Sequence, residues 1–163
     1  MTIRTATQND LTDIVAIYNE TIPGRMVTAD TEEVTVADRQ VWFDSHSEKR
    51  PIFVCEQAGK VVAWMSYKSF YGRPAYDGTV EISIYITQRA QGQGLGKQLL
   101  TFSEQHAKTL GIKVLLAFIF NHNMPSIKLF KRFDYLVWGE LPEVAIMDGK
   151  PYSLTILGKH IDA

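Results

Sequence analysis

The segment from Val80 to Leu100 constrains the fold of this chain more than any other. Residues 80–86 (VEISIYI) have the β-branched composition of a strand, and residues 91–100 (QGQGLGKQLL) form a glycine-rich turn that runs into the start of a helix. Gly92, Gly94 and Gly96 occupy alternate positions, so the backbone there can approach a ligand closely and present several free N–H groups in one direction. The segment predicts a domain in which strands and helices interleave.

The start of this helix predicts an anion site. It has no Ser, Thr, Asp or Asn cap, and its first turn carries Lys97 where an acidic residue would suit the helix dipole. A bound anion such as a phosphate would supply the negative charge that is missing. The run is not a P-loop, because Gln98 stands where Ser or Thr would bind magnesium, and Lys97 occupies the third-glycine position of a dinucleotide fingerprint. A glycine-rich turn without a ligand is the alternative.

The rest of the chain predicts one α/β domain over residues 1–163. Strands are expected at residues 2–5, 52–56, 60–68, 80–86, 113–120, 135–141 and 152–159. Helices are expected after a cap at Asn9 or Asp10, over residues 36–47 and 95–110, and from Asn123 onward. The second helix is expected to direct Val41, Trp42 and Phe43 inward, and Asp148–Gly149 is expected to turn between the last two strands.

The composition is that of an ordinary globular protein, with 45% apolar and 21% charged residues. A net charge of −1 gives no electrostatic reason to expect nucleic acid or a membrane as a partner. The single cysteine, Cys55, excludes an internal disulfide and is expected to be a buried small hydrophobe, not a nucleophile. No apolar run reaches membrane-spanning length and no signal peptide is recognisable, so a cytoplasmic location is expected.

The pattern Gln91-x-x-Gly94-x-Gly96, placed after a strand that carries Glu81, resembles the pyrophosphate-binding motif of the GNAT superfamily of N-acetyltransferases. The chain is similar to the phosphinothricin and methionine sulfone/sulfoximine acetyltransferase group of that superfamily. Three further segments carry this resemblance: residues 73–81 (RPAYDGTVE), residues 17–19 (IYN), and Asn123-x-x-Ser126-x-x-Leu129. It implies a single-domain GNAT fold of class α/β (α+β), with a mixed, mostly antiparallel sheet of about seven strands and about four flanking helices.

The resemblance also implies acetyl-CoA as co-substrate, no metal, and a homodimer. The main chain of Ile84, Tyr85 and Ile86 would pair with the pantetheine arm and hold the thioester oxygen. Asn123 and Ser126 would contact the pantetheine, although simple helix capping explains Asn123 equally well. The pyrophosphate would lie on the main-chain N–H groups of Gln91, Gly92, Gln93, Gly94, Leu95, Gly96 and Lys97.

Glu81 is the candidate general base. Strand alternation places Glu81, Ser83 and Tyr85 on one face, and a carboxylate in an apolar strand is costly unless it is paired or functional. Desolvation would raise its pKa toward useful basicity, and the resemblance implies the same role. A structural carboxylate paired with Arg73 or a neighbouring lysine is the alternative.

The departing thiolate has no obvious proton donor, because Phe130 stands where relatives have Tyr or His. Tyr85, Tyr135 or His122 could substitute, or the thiolate could leave unassisted. Arg73 and Arg25 are candidate acceptor-binding residues, since an amino-acid-like acceptor has a carboxylate that needs a cation, and Tyr76 could form a wall of the acceptor pocket or cover the sheet edge.

The expected reaction is acetylation of the primary amine of a small amino-acid analogue such as phosphinothricin or methionine sulfone or sulfoximine. Two other functions remain open at this point. The chain could be a non-catalytic sensor of acetyl-CoA, which the missing donor at Phe130 would suit, or an acetyltransferase for proteins or peptides.

Overall fold

The computed structural model describes residues 1–161, which form seven strands and four α-helices. The strands are β1 (Thr2–Thr5), β2 (Ile52–Gln57), β3 (Lys60–Ser69), β4 (Thr79–Ile86), β5 (Val114–Phe120), β6 (Leu136–Met147) and β7 (Lys150–His160). The helices are α1 (Leu11–Glu20), α2 (Val36–Asp44), α3 (Leu95–Thr109) and α4 (Met124–Arg132). The predicted interleaving of strands and helices is confirmed.

All seven strands belong to one sheet in the order β1-β2-β3-β4-β5-β7-β6. Every neighbouring pair is antiparallel except β4 and β5, which are parallel. The mixed, mostly antiparallel sheet expected from the resemblance is therefore present. The parallel pairing is short, because it joins only residues 79–81 to residues 114–116 before the two strands separate.

Each face of the sheet is covered by a hydrophobic cluster. Val80 and Ile82 of β4 are buried in the cluster that also contains α3 and α4 side chains, while Tyr85 packs against the cluster of α1 and β2. The alternation predicted for this strand is therefore confirmed. Cys55 is buried, as expected, and His106 is a packing residue whose ring stacks on Phe102 with centroids 5.6 Å apart.

Two sequence predictions about the elements are wrong in detail. Helix α2 ends at Asp44, and Val41 is 79% exposed, while Trp42 and Phe43 are partly buried. Three consecutive residues cannot all face the core, because each step along an α-helix turns the side chain by about 100°. Strand β6 continues to Met147 and β7 begins at Lys150, whereas the sequence predicted an end at residue 141 and a start at residue 152. Their turn lies at Asp148–Gly149 as expected.

The hairpin of β6 and β7 forms one edge of the sheet. Its turn approaches the loop after α1, and Asp148 of the turn pairs with Arg25 of that loop. Within residues 1–161, no helix has both the length and the apolar character needed to cross a lipid bilayer.

Candidate active site

The separation of β4 from β5 opens a cavity of about 180 Å³, here called the inter-strand cavity. It lies between the second half of β4, residues 117–119 of β5, and α4. Beyond Glu81, strand β4 pairs only with β3, so its main-chain groups on the β5 side have no strand partner in the described chain. The main chain of Ile84, Tyr85 and Ile86 borders this opening, which suits an extended ligand that carries amide groups.

The glycine-rich turn lies beside this opening, since Gln91 lines the inter-strand cavity. Gly92 and Gly94 have φ values of +76° and +77°, which residues other than glycine rarely adopt. Gly94 directly precedes α3. Among residues 1–161, nothing accepts a hydrogen bond from the main-chain N–H groups of residues 92–97. Six unpaired donors at the start of a 15-residue helix without an acidic first turn fit a diphosphate.

Gly96 differs from Gly92 and Gly94, because an added side chain there would crowd a neighbouring helix. A Cβ built at Gly96 would lie 2.9 Å from Cδ2 of Leu129, which lines the inter-strand cavity from α4. The start of α3 therefore approaches α4 closely at this point.

Helix α4 supplies polar groups to the same cavity. Asn123 is buried, and its side-chain oxygen accepts a hydrogen bond of 3.4 Å from the Ser126 N–H, so the expected helix cap is present. Asn123, Ser126 and Phe130 all line the cavity. Capping thus accounts for the Asn123 oxygen, and the position of Asn123 also allows a ligand contact.

A second cavity of about 370 Å³ lies on the opposite face of β4, against α1 and α2, and is here called the helix-side cavity. This volume is within the range of sites for small molecules. The polar and charged residues that line it from the sheet and α2 are Arg39, Ser66, Lys68, Glu81 and Ser83. Its aromatic walls are Tyr18, Trp42, Trp64 and Tyr85.

The aromatic walls are packed against one another and hold the shape of the helix-side cavity. The rings of Trp64 and Tyr85 stack with centroids 4.5 Å apart, and Trp42 meets Trp64 edge-on at 5.4 Å. Tyr18 contacts Tyr85 at 5.4 Å, and its hydroxyl hydrogen-bonds with Thr28 at 2.6 Å.

The Glu81 carboxylate lies in this cavity without a salt bridge. The ion pairs formed by the described residues do not include Glu81, so the predicted alternative of a pair with Arg73 or a lysine is not observed. Burial raises the pKa of Glu81, and the nearby Lys68 ammonium, opposite Glu81 on β3, partly offsets that rise. A carboxylate with a raised pKa is a stronger base than an ordinary one, and beside an open cavity it is suited to accept a proton from a ligand.

The two cavities meet at β4, because Ser83 and Tyr85 line both of them. A ligand that extends along the inter-strand cavity would thus end close to a second molecule held beside Glu81. The arrangement suits a transfer between two substrates that enter from opposite faces of the sheet.

The predicted acceptor-binding residues lie outside the lining of the helix-side cavity. Arg25 pairs with Asp148 at 2.7 Å and donates to the Ile22 carbonyl, and Arg73 is exposed on the β3–β4 loop. Tyr76 lies on the same loop in an exposed group with Phe70 and Tyr71. Their contact with an acceptor stays a prediction.

Of the three candidate proton donors, only Tyr85 lines the cavities. The Tyr135 side chain is buried, 1% exposed, against Phe130 at 4.9 Å. His122 makes a 2.8 Å hydrogen bond through Nε2 to the Arg25 carbonyl. Burial raises the pKa of Tyr85 well above its usual value, so its hydroxyl keeps its proton at neutral pH.

Sequence reasoning missed several side chains of the helix-side cavity, most importantly Arg39 and Lys68. The spacing of Arg39 and Trp42 was an available signal, since residues three apart share a helix face. No group of three or more residues able to hold a metal ion is found in the part of the chain that the structure describes.

Comparison of the sequence with known proteins identifies a family. Residues 12–135 match the model of the acetyltransferase (GNAT) family. The chain is 52% identical, over 99% of both chains, to a Bacillus subtilis protein provisionally named phosphinothricin acetyltransferase YwnH. It is 34% identical to the L-methionine sulfoximine/L-methionine sulfone acetyltransferase of Pseudomonas aeruginosa, over 98% of this chain and 94% of the relative.

A solved structure provides a similar comparison. The structure of yncA of Salmonella typhimurium, provisionally named an acetyltransferase and determined with its cofactor acetyl-CoA, has a TM-score of 0.90 and 28% identity. The match covers 99% of this chain and 94% of that one.

Proposed function

Because this chain belongs to the acetyltransferase (GNAT) family and is an N-acetyltransferase, we propose that it moves the acetyl group of acetyl-CoA to the primary amine of a small amino-acid-like molecule. The two cavities that meet at Ser83 and Tyr85 are the single observation that carries this proposal. One cavity would receive the donor, and the other, which contains Glu81, would receive the acceptor.

The residues beside the inter-strand cavity fit coenzyme A. The unpaired N–H groups of residues 92–97 would hold the diphosphate, with Gln91 at the mouth of the cavity. The main chain of Ile84, Tyr85 and Ile86 would pair with the amide groups of the pantetheine arm, and Asn123 and Ser126 would contact it from α4. The solved Salmonella structure, determined with acetyl-CoA, supports acetyl-CoA as the ligand.

Glu81 would act as the general base. An ammonium group has no lone pair, so the acceptor must lose a proton before its nitrogen attacks the thioester carbonyl carbon. Glu81 would take this proton directly or through one water, the new C–N bond would form, and the C–S bond would break to release the thiolate of coenzyme A.

The main chain of β4 would stabilise the negative charge that develops on the acetyl oxygen, because an N–H group fixed by the strand needs no reorganisation. Tyr85 is the side chain available to hydrogen-bond the departing sulfur. Its raised pKa disfavours full proton transfer to a thiolate, so its role would be that of a hydrogen-bond donor.

The acceptor would be an amino-acid analogue such as phosphinothricin, methionine sulfone or methionine sulfoximine. The names of the Bacillus and Pseudomonas relatives and the volume of the helix-side cavity support this class. Arg73 and Tyr76 would act at its edge, since their loop joins the strands of Lys68 and Glu81. Arg25 would contribute to acceptor binding indirectly, because its ion pair with Asp148 joins the loop after α1 to the β6–β7 turn.

An assay of thiol release tests the proposal. Wild-type protein and acetyl-CoA are incubated with free amino acids, methionine sulfone and sulfoximine, phosphinothricin, polyamines, and peptides with a free N-terminus. We expect acceptor-dependent release of coenzyme A with amino-acid analogues. Glu81→Gln is expected to lower kcat by about 100-fold or more while calorimetric affinity for coenzyme A stays the same.

Glu48→Gln, at an exposed loop position, is the matched control and should leave both values unchanged. Coenzyme A binding without release for any acceptor would identify a sensor, and release with peptides alone would identify a protein acetyltransferase. Full turnover by Glu81→Gln would remove Glu81 from the role of base.

A further inference from the structure

Arg39 is a cation that the fold holds in the wall of the helix-side cavity. Its Nη2 donates to Oδ2 of Asp30 at 3.0 Å, and its side chain is 27% exposed. The guanidinium carbon lies 4.5 Å from the centre of the Tyr18 ring, a favourable cation–π distance. The Tyr18 hydroxyl in turn donates to Asp30, so Asp30 and Tyr18 fix the Arg39 side chain from two sides.

This support leaves most of the guanidinium free for a ligand. An arginine has five N–H donors in a planar fork, and only one of them is used by a partner among the described residues. A preorganised fork of this kind matches the two oxygens of a carboxylate and loses little entropy when it binds one.

The charges in the cavity favour a zwitterion over a simple amine. Glu81 is the carboxyl group of the cavity lining, and Arg39 and Lys68 are its two cations. An acceptor with an ammonium group near Glu81 and an oxyanion near Arg39 would complement both signs. A polyamine would instead carry a second ammonium group, which the two cations of the cavity, Arg39 and Lys68, would repel.

We propose that Arg39 binds the carboxylate of the acceptor and thereby restricts this enzyme to zwitterionic α-amino acids. The proposal rests on the function proposed above and names the substrate class of the same site. Asp30 and Tyr18 are then positioning residues, because they act through Arg39. Arg25 and Arg73 are less suited to this role, since Arg25 is held by Asp148 and neither lines the cavity.

The test uses two acceptors that differ only in the carboxylate: methionine sulfone and the amine made by decarboxylating it. We expect Arg39→Gln to lower kcat/KM for methionine sulfone by about 10- to 100-fold, mainly through KM, as for the loss of a charge-assisted hydrogen bond. The decarboxylated amine has nothing to bind to Arg39, so its kcat/KM should change by less than about threefold in the same variant.

Two variants control for charge and folding. Arg132→Gln makes the same change at the exposed end of α4, and both acceptors should keep their wild-type values. Arg39→Lys keeps the charge without the fork and should recover only part of the loss. Equal losses for both acceptors in Arg39→Gln, or an unchanged ratio between them, would overturn the proposal.

The outcomes also separate this inference from the proposed function. If wild-type protein acetylates only amines without a carboxylate, the role of Arg39 is wrong while the acetyltransferase reaction stands. If wild-type protein releases no coenzyme A with any acceptor, the proposed reaction itself fails.

Discussion

Glu81 and Lys68 face each other across β4 and β3, and their electrostatic coupling should control the pH range of the reaction. As the proposed base, Glu81 must be ionised to accept a proton, and its pKa is raised by burial and lowered by Lys68. Removing the ammonium of Lys68 therefore raises the pKa of Glu81 further, and activity should be lost at a higher pH as the solution is acidified.

We predict that Lys68→Met moves the acidic limb of kcat/KM to higher pH by about 0.2–0.7 pH units. This range corresponds to about 0.2–1 kcal/mol for a charge pair screened by solvent at the exposed Lys68 ammonium, since one pKa unit equals about 1.4 kcal/mol. The measurement is kcat/KM against pH with saturating acetyl-CoA.

Lys60→Met is the matched control, because Lys60 lies exposed at the other end of the same strand and does not line the cavity. Its profile should match that of the wild type. An acidic limb that stays in place in Lys68→Met, or moves to lower pH, would contradict the assigned coupling.

The sequence located Glu81 but not Arg39, and the difference is physical. A carboxylate among β-branched strand residues is conspicuous, because its burial needs a reason. Arg39 stands on a helix with ordinary polar neighbours, and its proposed role depends on Asp30, Tyr18 and a cavity wall that come together only in the fold. Arg25 is the opposite case, because the sequence singled it out as a candidate for acceptor binding. In the fold it pairs with Asp148, which lies 123 residues away in the sequence.

At the scale of elements, the glycine-rich turn before α3 should bind coenzyme A through its backbone conformation. A Cβ at Gly94 would meet no atom within 4 Å, so an added methyl group has space. Its φ of +77° is unfavourable for alanine by roughly 1–2 kcal/mol, and relief of this strain would turn the N–H groups away from the diphosphate.

We therefore predict that Gly94→Ala weakens coenzyme A binding by at least about tenfold, through loss of main-chain hydrogen bonds to a charged group. Gly59→Ala is a matched control, because Gly59 also has a φ of +77° and no atom within 4 Å of an added Cβ, but lies in the β2–β3 turn.

Both variants should lose similar stability in thermal unfolding, and only Gly94→Ala should lose affinity in calorimetry. Equal affinities for coenzyme A in the two variants would show that the turn does not bind the diphosphate.

Prediction of the elements from the sequence succeeded where the pattern was local. The strand, turn and helix of residues 80–100 and the cap at Asn123 depend on neighbouring residues, and both are present. The separation of β4 from β5 is not local, because it depends on how residues 79–81 pair with residues 114–116, 35 positions further along the chain, before the two strands diverge. The inter-strand cavity could not be predicted from the sequence for that reason.

At the scale of the whole molecule, the edge strand β6 bears a band of exposed apolar side chains. Leu136, Val144 and Ile146 are the most exposed of them, at 66%, 56% and 75%. An exposed apolar band of this kind on an edge strand favours association. The pairing of β6 with β7 shifts register at two places, and such irregularities hinder addition of another strand, so side-chain packing is the expected mode of contact.

We predict that the protein is a homodimer in solution that associates through β6, with a mass by light scattering of about twice the 18.5 kDa of the chain. Ile146→Lys places a charge in the apolar band and should produce a monomer. Val41→Lys is the matched control, because Val41 is 79% exposed on α2 and outside this band, and it should remain dimeric. A monomeric wild type would refute the dimer, and a dimer that persists in Ile146→Lys would move the interface away from β6.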